Sequence, residues 1–469
     1  MPNSTKRVPV ARHLAVFAIF LLSLSFSSLG RADQLRYLGE SAEALDVLMG
    51  EVDGAKASID LTYFIFNPSS SVAKILLKKL IAKAHAGVRV RLLIDANPHD
   101  DMLQMEFTGA LHREGIQIKY YRPGNQYNPM NNVRSHAKLA LFDGQRYITG
   151  GRNIEDDYYG VSDWMNYVDR EVWVSGKSAR KAQAAFNRLW SEPESVVRTG
   201  ATEHGMSKMK KDWEKLDKKT RLTERALGRR SLSLQAGNTP VVTCESVQFT
   251  FDDPAFVDAS NEGSVYDDGA GDYMNGPRLE LKETTNAVLS LMYSAKKSLL
   301  MENYSYLPTA QLASALARAR AKGIPVTIVT NRDVERESYA QFIQREAIAQ
   351  DNYGTEKILQ LSRHGVIRDK WEGPTKKTSF WTIHGKVFVA DGESTIVSSF
   401  NIDPRSYHTN LETGVIARHC PAFAAIVTEK TRKLERDFEL DKTCAKCQQP
   451  TRDNGILKSL TGWIAYNFI

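Results

Sequence analysis

Two stretches decide the fold of this chain: Ser135-His136-Ala137-Lys138-Leu139-Ala140-Leu141-Phe142-Asp143 and Ile383-His384-Gly385-Lys386-Val387-Phe388-Val389-Ala390-Asp391. Each is a His-x-Lys pair running into an apolar segment that ends in Asp. Gly150-Gly151-Arg152-Asn153 follows the first and Ser398-Ser399-Phe400-Asn401 the second, with a His-to-Asn offset of 17 residues in both. A lone His-x-Lys pair on a strand is more often part of a surface ladder than of a site. With ten His in the chain, one chance match of the full pattern is expected at roughly a few per cent. Two matches in the same context, with Gly or Ser pairs and Asn at equal offset, are a duplication.

Outward from the motifs, the repeat extends at a period of about 240 to 250 residues. Ala55-Lys-Ala-Ser-Ile-Asp-Leu-Thr-Tyr-Phe64 aligns with Ala295-Lys-Lys-Ser-Leu-Leu-Met-Glu-Asn-Tyr304. Helical patterns precede both (Leu45, Leu48, Met49, Val52; Val288, Leu291, Met292), and Ala-rich amphipathic segments follow at 72–86 and 310–322. Then come Gly and a β-branched strand, Gly87 to Asp95 and Gly323 to Asn331, and a further turn and strand at Gly115-Ile-Gln-Ile and Gly365-Val-Ile. Strands alternating with helices predict βαβ units and a mostly parallel sheet. The fold class expected is α/β: two duplicated α/β/α sandwich halves packed about a pseudo-twofold axis around one active site.

The residue types suit phosphorus chemistry. Side chains two apart on a strand share a face, so His136 and Lys138 should project together, as should His384 and Lys386. Leu139, Leu141, Val387 and Val389 pack the sheet. One imidazole can attack phosphorus while an ammonium and an amide hold the non-bridging oxygens. A second imidazole can protonate the departing alkoxide, because His titrates near neutral pH.

These motifs resemble those of the phospholipase D superfamily, over nearly everything from Ser41 to Ala417. The resemblance implies one site assembled from both motifs, a covalent phosphohistidine on one His, and an acid/base role for the other. Carried onto this chain, His136 is the nucleophile and His384 the acid/base, with Lys138, Lys386, Asn153 and Asn401 binding phosphate oxygens. Glu412 and, with a longer offset, Asp169 fit the acidic residues that orient the His side chains. Asp143 and Asp391 complete the motifs and secure loops. No metal or cofactor is implied, since Lys and Asn supply the electrostatics. The runs Gly150 to Tyr159 and Asn401-Ile-Asp-Pro-Arg-Ser406 are similar to bacterial cardiolipin synthases and their phospholipase relatives. A phosphatidyltransferase or phospholipase D acting on glycerophospholipids is therefore expected. The alternatives are an exported phosphodiesterase or nuclease of the same superfamily and a non-catalytic anion-binding protein on the same scaffold.

The chain has 469 residues, more than one core usually supports, and a mean hydropathy of −0.38 that excludes a polytopic membrane protein. Its net charge of +7 suits an anionic phospholipid surface, or nucleic acid under the alternative. Lys6, Arg7 and Arg12 precede an uncharged run from Leu14 to Gly30 and small residues around Arg31, the pattern of a signal peptide or, in the other reading, an N-terminal anchor. An exported, periplasmic or secreted protein peripheral to a membrane follows, and Cys244, Cys420, Cys444 and Cys447 become disulfide candidates. The expected divisions are 1–32 signal or anchor, 33–200 first half, 201–245 basic linker, 246–445 second half and 446–469 a tail of amphipathic pattern. Within the linker, Met206 to Arg230 carries ten Lys or Arg against four Asp or Glu and reads as an interfacial helix or a solvated one. Asp267 to Asp272 reads as an acidic loop without EF-hand spacing. With both halves in one chain, a monomer suffices.

Overall fold

The computed structural model describes residues 32–99, 101–123, 133–162, 165–200, 239–256, 278–331, 357–361 and 380–437. The N-terminal apolar run, the basic insert, the acidic loop, the Gly365 strand, Cys444, Cys447 and the C-terminal stretch lie outside them.

In the first half, β1 (Asp33–Leu38) and helix α1 (Ser41–Gly54) lead into β2 (Ser58–Tyr63), α2 (Ser71–His85), β3 (Arg89–Asp95), α3 (Asp101–Arg113) and β4 (Gln117–Tyr121). Then come β5 (Arg134–Ser135), β6 (Leu139–Phe142), β7 (Arg146–Gly150), β8 (Met165–Val168), β9 (Glu171–Ser175), α4 (Ala179–Trp190), β10 (Ser195–Val196) and β11 (Val241–Cys244). The second half holds β12 (Ser246–Phe251), α5 (Glu283–Ser294), β13 (Leu299–Asn303), α6 (Ala310–Ala321), β14 (Val326–Asn331) and β15 (Lys357–Leu361). It continues through β16 (Phe380–Ile383), β17 (Lys386–Ala390), β18 (Ser394–Ser398), α7 (Pro404–His408), β19 (Asn410–Leu411), β20 (Thr413–Arg418) and α8 (Pro421–Asp437).

The strands form a nine-stranded sheet, β10-β4-β3-β2-β6-β7-β9-β1-β11, and a seven-stranded sheet, β12-β20-β18-β17-β13-β14-β15. The duplicated α/β plan is present, but the sheets are mixed rather than mostly parallel. Only β2-β3-β4 and β13-β14-β15 pair in parallel; the other pairings within these sheets are antiparallel. The reason is local. A parallel pair needs a crossover helix, which α2, α3 and α6 supply, whereas a tight turn can only reverse the strand. Asp143-Gly144 and Asp391-Gly392 are such turns, with positive φ at both central residues, the geometry that matches hairpin twist.

Alternation then sorts the side chains. Leu139 and Leu141 face inward onto a core shared with Val387, Val389, Val397 and Val415 of the other half. Ala140 and Phe142 face a core beneath α1, α2 and α3, and Phe388 and Ala390 face one beneath α5 and α6. The two sheets therefore bury their inner faces against each other. Helices α4 and α8 fill the same shared core through Phe186, Leu189, Phe423 and Val427. The chain passes from one sheet to the other at Glu245, between β11 and β12, and Cys244 is disulfide-bonded to Cys420 at the head of α8.

Candidate active site

Neither His lies within a sheet strand. Each occupies a break: His136 between β5 and β6, His384 between β16 and β17. The short strand before each break belongs to a two-stranded ribbon whose other member comes from the opposite half. β5 runs parallel to β19, with Leu411 beside Ser135, and β16 runs parallel to β8, with Val168 beside Ile383. One step further along each ribbon, a His meets a carboxylate. His136 Nδ1 lies 3.1 and 3.0 Å from the two oxygens of Glu412. His384 Nδ1 lies 2.6 Å from Asp169 Oδ2. Each half thus provides an imidazole and orients the other half's. Since a carboxylate accepts at Nδ1, that nitrogen donates and Nε2 is left to act.

The breaks are held by matched polar residues at the ends of β3 and β14. Asp95 Oδ2 accepts the Ser135 N–H at 2.6 Å, and Asn331 Oδ1 accepts the Ile383 N–H at 2.8 Å while its Nδ2 donates to the Ile383 carbonyl at 2.7 Å. Sequence reasoning assigned neither residue a role. The signal was available: a polar residue closing the same apolar strand in both repeats. Burial pushes the Asp95 carboxyl up to about 7, against the pull of its backbone donors.

Lys138 and Lys386 are buried, and each donates from Nζ to the carbonyl of its own His, Lys138 at 2.7 Å. Lys386 Nζ also lies 3.0 Å from His384 Nδ1. Burial drives Lys138 well below the ordinary ammonium range and lowers Lys386 to about 8, with Asp169 and Glu412 opposing. Burial also lowers both imidazoles. Glu412 opposes this at His136; at His384 the Lys386 charge adds to it, and the value falls to about 3. Burial opposes ionisation of Glu412 and Asp169, but the hydrogen bonds donated by the imidazoles and the nearby Lys138 and Lys386 charges outweigh it and hold both acids low. The resting site therefore has neutral imidazoles and anionic carboxylates.

The predicted Asn residues are placed differently. Asn153 Oδ1 accepts the Ile65 N–H at 3.1 Å and its Nδ2 donates to the Tyr158 hydroxyl at 2.8 Å, leaving one amide hydrogen over. Asn401 donates its backbone N–H to Ser406 Oγ at 3.0 Å, and its Oδ1 is buried without a protein partner. Asp143 and Asp391 stand apart from the imidazoles. Each carboxylate accepts the N–H groups of a three-residue run, Lys56 to Ser58 or Lys296 to Ser298, ahead of β2 and β13. They secure loops and do not reach the His side chains through any described contact.

Behind each acid sits a buried ion pair. Arg152 donates to the Asp169 carbonyl at 2.6 Å and pairs with Glu171, while Lys282 donates to the Asn410 carbonyl and pairs with Asp252 at 2.9 Å. A third pair, Arg170 and Glu302 at 2.7 Å, joins the halves directly behind Gly385. Arg170 and Glu302 are 132 positions apart and carry no motif, so reading along the chain could not link them.

Residues 48–190 and 288–439 match the family described as "Cardiolipin synthase, PLD-like domain". The chain belongs to the phospholipase D-like family. It is 25% identical over 417 residues to an uncharacterized protein of Helicobacter pylori, covering 82% of this chain and 76% of that one. It is 24% identical over 398 residues to a cardiolipin synthase of Listeria monocytogenes, covering 84% and 67%. The crystal structure of a phosphatidylserine synthase from Haemophilus influenzae superposes with a TM-score of 0.59 at 14% identity, covering 94% of this chain and 97% of that one, and shares the fold. Both copies of the phospholipase D-like pattern are complete here, and the chain is read as an enzyme of that superfamily, a phosphodiesterase or phosphatidyltransferase.

Proposed function

We propose that this protein transfers phosphatidyl groups between a glycerophospholipid and an alcohol or water, through a phosphohistidine on His136. The observation that carries the reading is the crossed pair of buried dyads, His136 with Glu412 and His384 with Asp169. Neutral His136 attacks through Nε2; the P–N bond forms as the P–O bond to the leaving alcohol breaks, and His384 gives that alkoxide its proton. His384 is neutral at rest, held down in part by Lys386. A bound phosphodiester anion offsets the lysine charge and lets the imidazole take up the proton it must deliver. In the second step the acceptor hydroxyl loses its proton to His384 and its oxygen attacks phosphorus, which breaks the P–N bond. Lys138, Lys386 and the Asn153 and Asn401 amides would hold the non-bridging oxygens.

The relatives named cardiolipin synthases favour a lipid substrate. The Cys244–Cys420 bond fits an oxidising compartment and so an exported protein. The basic segment Met206 to Arg230 would supply the attraction to an anionic membrane. The test is to incubate the purified protein with phosphatidylglycerol and phosphatidylethanolamine, with and without added alcohol, and identify products by mass spectrometry. His136→Ala should abolish both turnover and the acid-labile label on the protein. If the wild-type protein processes neither lipid, the lipid reading fails; if the label maps to His384, the two imidazoles exchange roles.

A further inference from the structure

The residue five positions beyond each Asn is Tyr158 in the first half and Ser406 in the second. The duplication makes them equivalents, yet they do different things. Ser406 is fully buried at the start of α7, where Asp403 caps its N–H at 2.8 Å. Its hydroxyl accepts the Asn401 N–H at 3.0 Å and gives its only proton to Glu412 Oε1 at 2.7 Å. Glu412 also receives the Ser399 hydroxyl and, at 3.2 Å, the Asn410 amide, besides His136. Four donors thus converge on one buried carboxylate, and the other charged groups facing the Glu412–His136 pair are Lys138, Lys386 and Asp252.

Across the pseudo-axis the arrangement is sparser. Asp169 accepts from His384 and from the Arg170 N–H at 2.6 Å. Ser399 is replaced there by Gly151, where even a Cβ would stand 2.1 Å from Asp169 Oδ1. Tyr158 reaches the His itself, its ring edge-on to His384 at 5.1 Å, while its hydroxyl takes the Asn153 amide.

We propose that Ser406 is a positioning residue for the reaction, holding Glu412 so that its charge is shared among donors and the His136 imidazole is kept oriented and neutral for attack. A carboxylate relieved of one donor is a stronger base, and it stabilises a neighbouring imidazolium more. Tyr158 makes no described hydrogen bond to a carboxylate; its contacts are with Asn153 and the His384 ring. The proposal rests on the phosphohistidine reading above.

The test is the pH dependence of kcat/KM for Ser406→Ala, Ser406→Thr and Tyr158→Phe in the full chain, on a lipid that the wild-type protein turns over. Removing the hydroxyl should move the acidic limb to higher pH and lower the plateau about tenfold. Ser406→Thr, which keeps the hydroxyl, should return the limb toward wild type. Tyr158→Phe should raise KM and leave the limb in place. Should Ser406→Ala fail to fold, Ser406→Cys, with its weaker donor, should show the same upward movement. An unmoved limb in either variant, with folding or rate alone affected, overturns the proposal. Absence of turnover or His labelling in the wild-type protein would instead refute the phosphohistidine reading.

Discussion

At the scale of single residues, the two acids are the sharpest test of the site. Each fixes the tautomer of an imidazole from the other half, so Asp169→Asn and Glu412→Gln present a donor where an acceptor is needed. Both should lower kcat by at least about a hundredfold, more than the loss of a buried acceptor for their other donors takes from stability, which steady-state kinetics on the folded protein and thermal melts would separate. The pH profile follows from the same contacts. On the proposed mechanism His136 must be neutral to attack, and burial lowers its pKa, so kcat/KM should stay high to pH values below the ordinary imidazole range. On the other side, the grip on oxyanions proposed for Lys386 requires its proton. Its value near 8 means that activity should fall as pH rises through about 8, and an unchanged rate up to pH 10 would contradict that role. Asp143 and Asp391 were legible as motif members that secure loops; which groups they hold came from the turn, a carboxylate at positive φ aimed back at three backbone donors.

At the scale of elements, the site depends on two short ribbons whose strands come from opposite halves. Their parallel register is what carries Glu412 to His136 and Asp169 to His384. Asn331 pins one ribbon with hydrogen bonds to Ile383 and Thr382. Asn331→Ala should leave several buried partners unsatisfied, cost about 2–3 kcal/mol, and weaken activity more than a surface change of equal size, as denaturant unfolding and kinetics would show. Gly385 is the other sensitive point, since a Cβ there would lie 2.3 Å from Glu302 Oε1 and 2.7 Å from Arg170 Cγ. Gly385→Ala should break the Arg170–Glu302 pair or displace His384, destabilising by about 1–3 kcal/mol. The helices and strands themselves were legible from periodicity: predicted segments at 72–86 and 310–322 appear as Ser71–His85 and Ala310–Ala321. The mixed pairing was not, because alternation along one strand does not say which way its neighbour runs.

At the scale of the whole molecule, the two halves are one catalytic unit, joined by shared sheet faces, the ribbons and a disulfide. The Cys244–Cys420 bond closes a loop of 176 residues, so in the chain-entropy view it stabilises by up to about 5 kcal/mol. Reduction, or Cys244→Ser with Cys420→Ser, should lower the unfolding midpoint measured by calorimetry while leaving turnover at low temperature intact, since neither Cys touches an imidazole. No change in the midpoint would mean that the noncovalent contacts alone hold the halves together. Sequence by itself determined the duplication, the α/β class and the two His-x-Lys pairs, because these are written in local spacing and recur within one chain. Only the tertiary structure decided which acid serves which His, what Ser406, Asp95 and Asn331 hold, and which cysteines pair. Those contacts join residues up to 276 positions apart, and a separation that long leaves no periodicity to read; the partner is set by how two twisted sheets pack face to face.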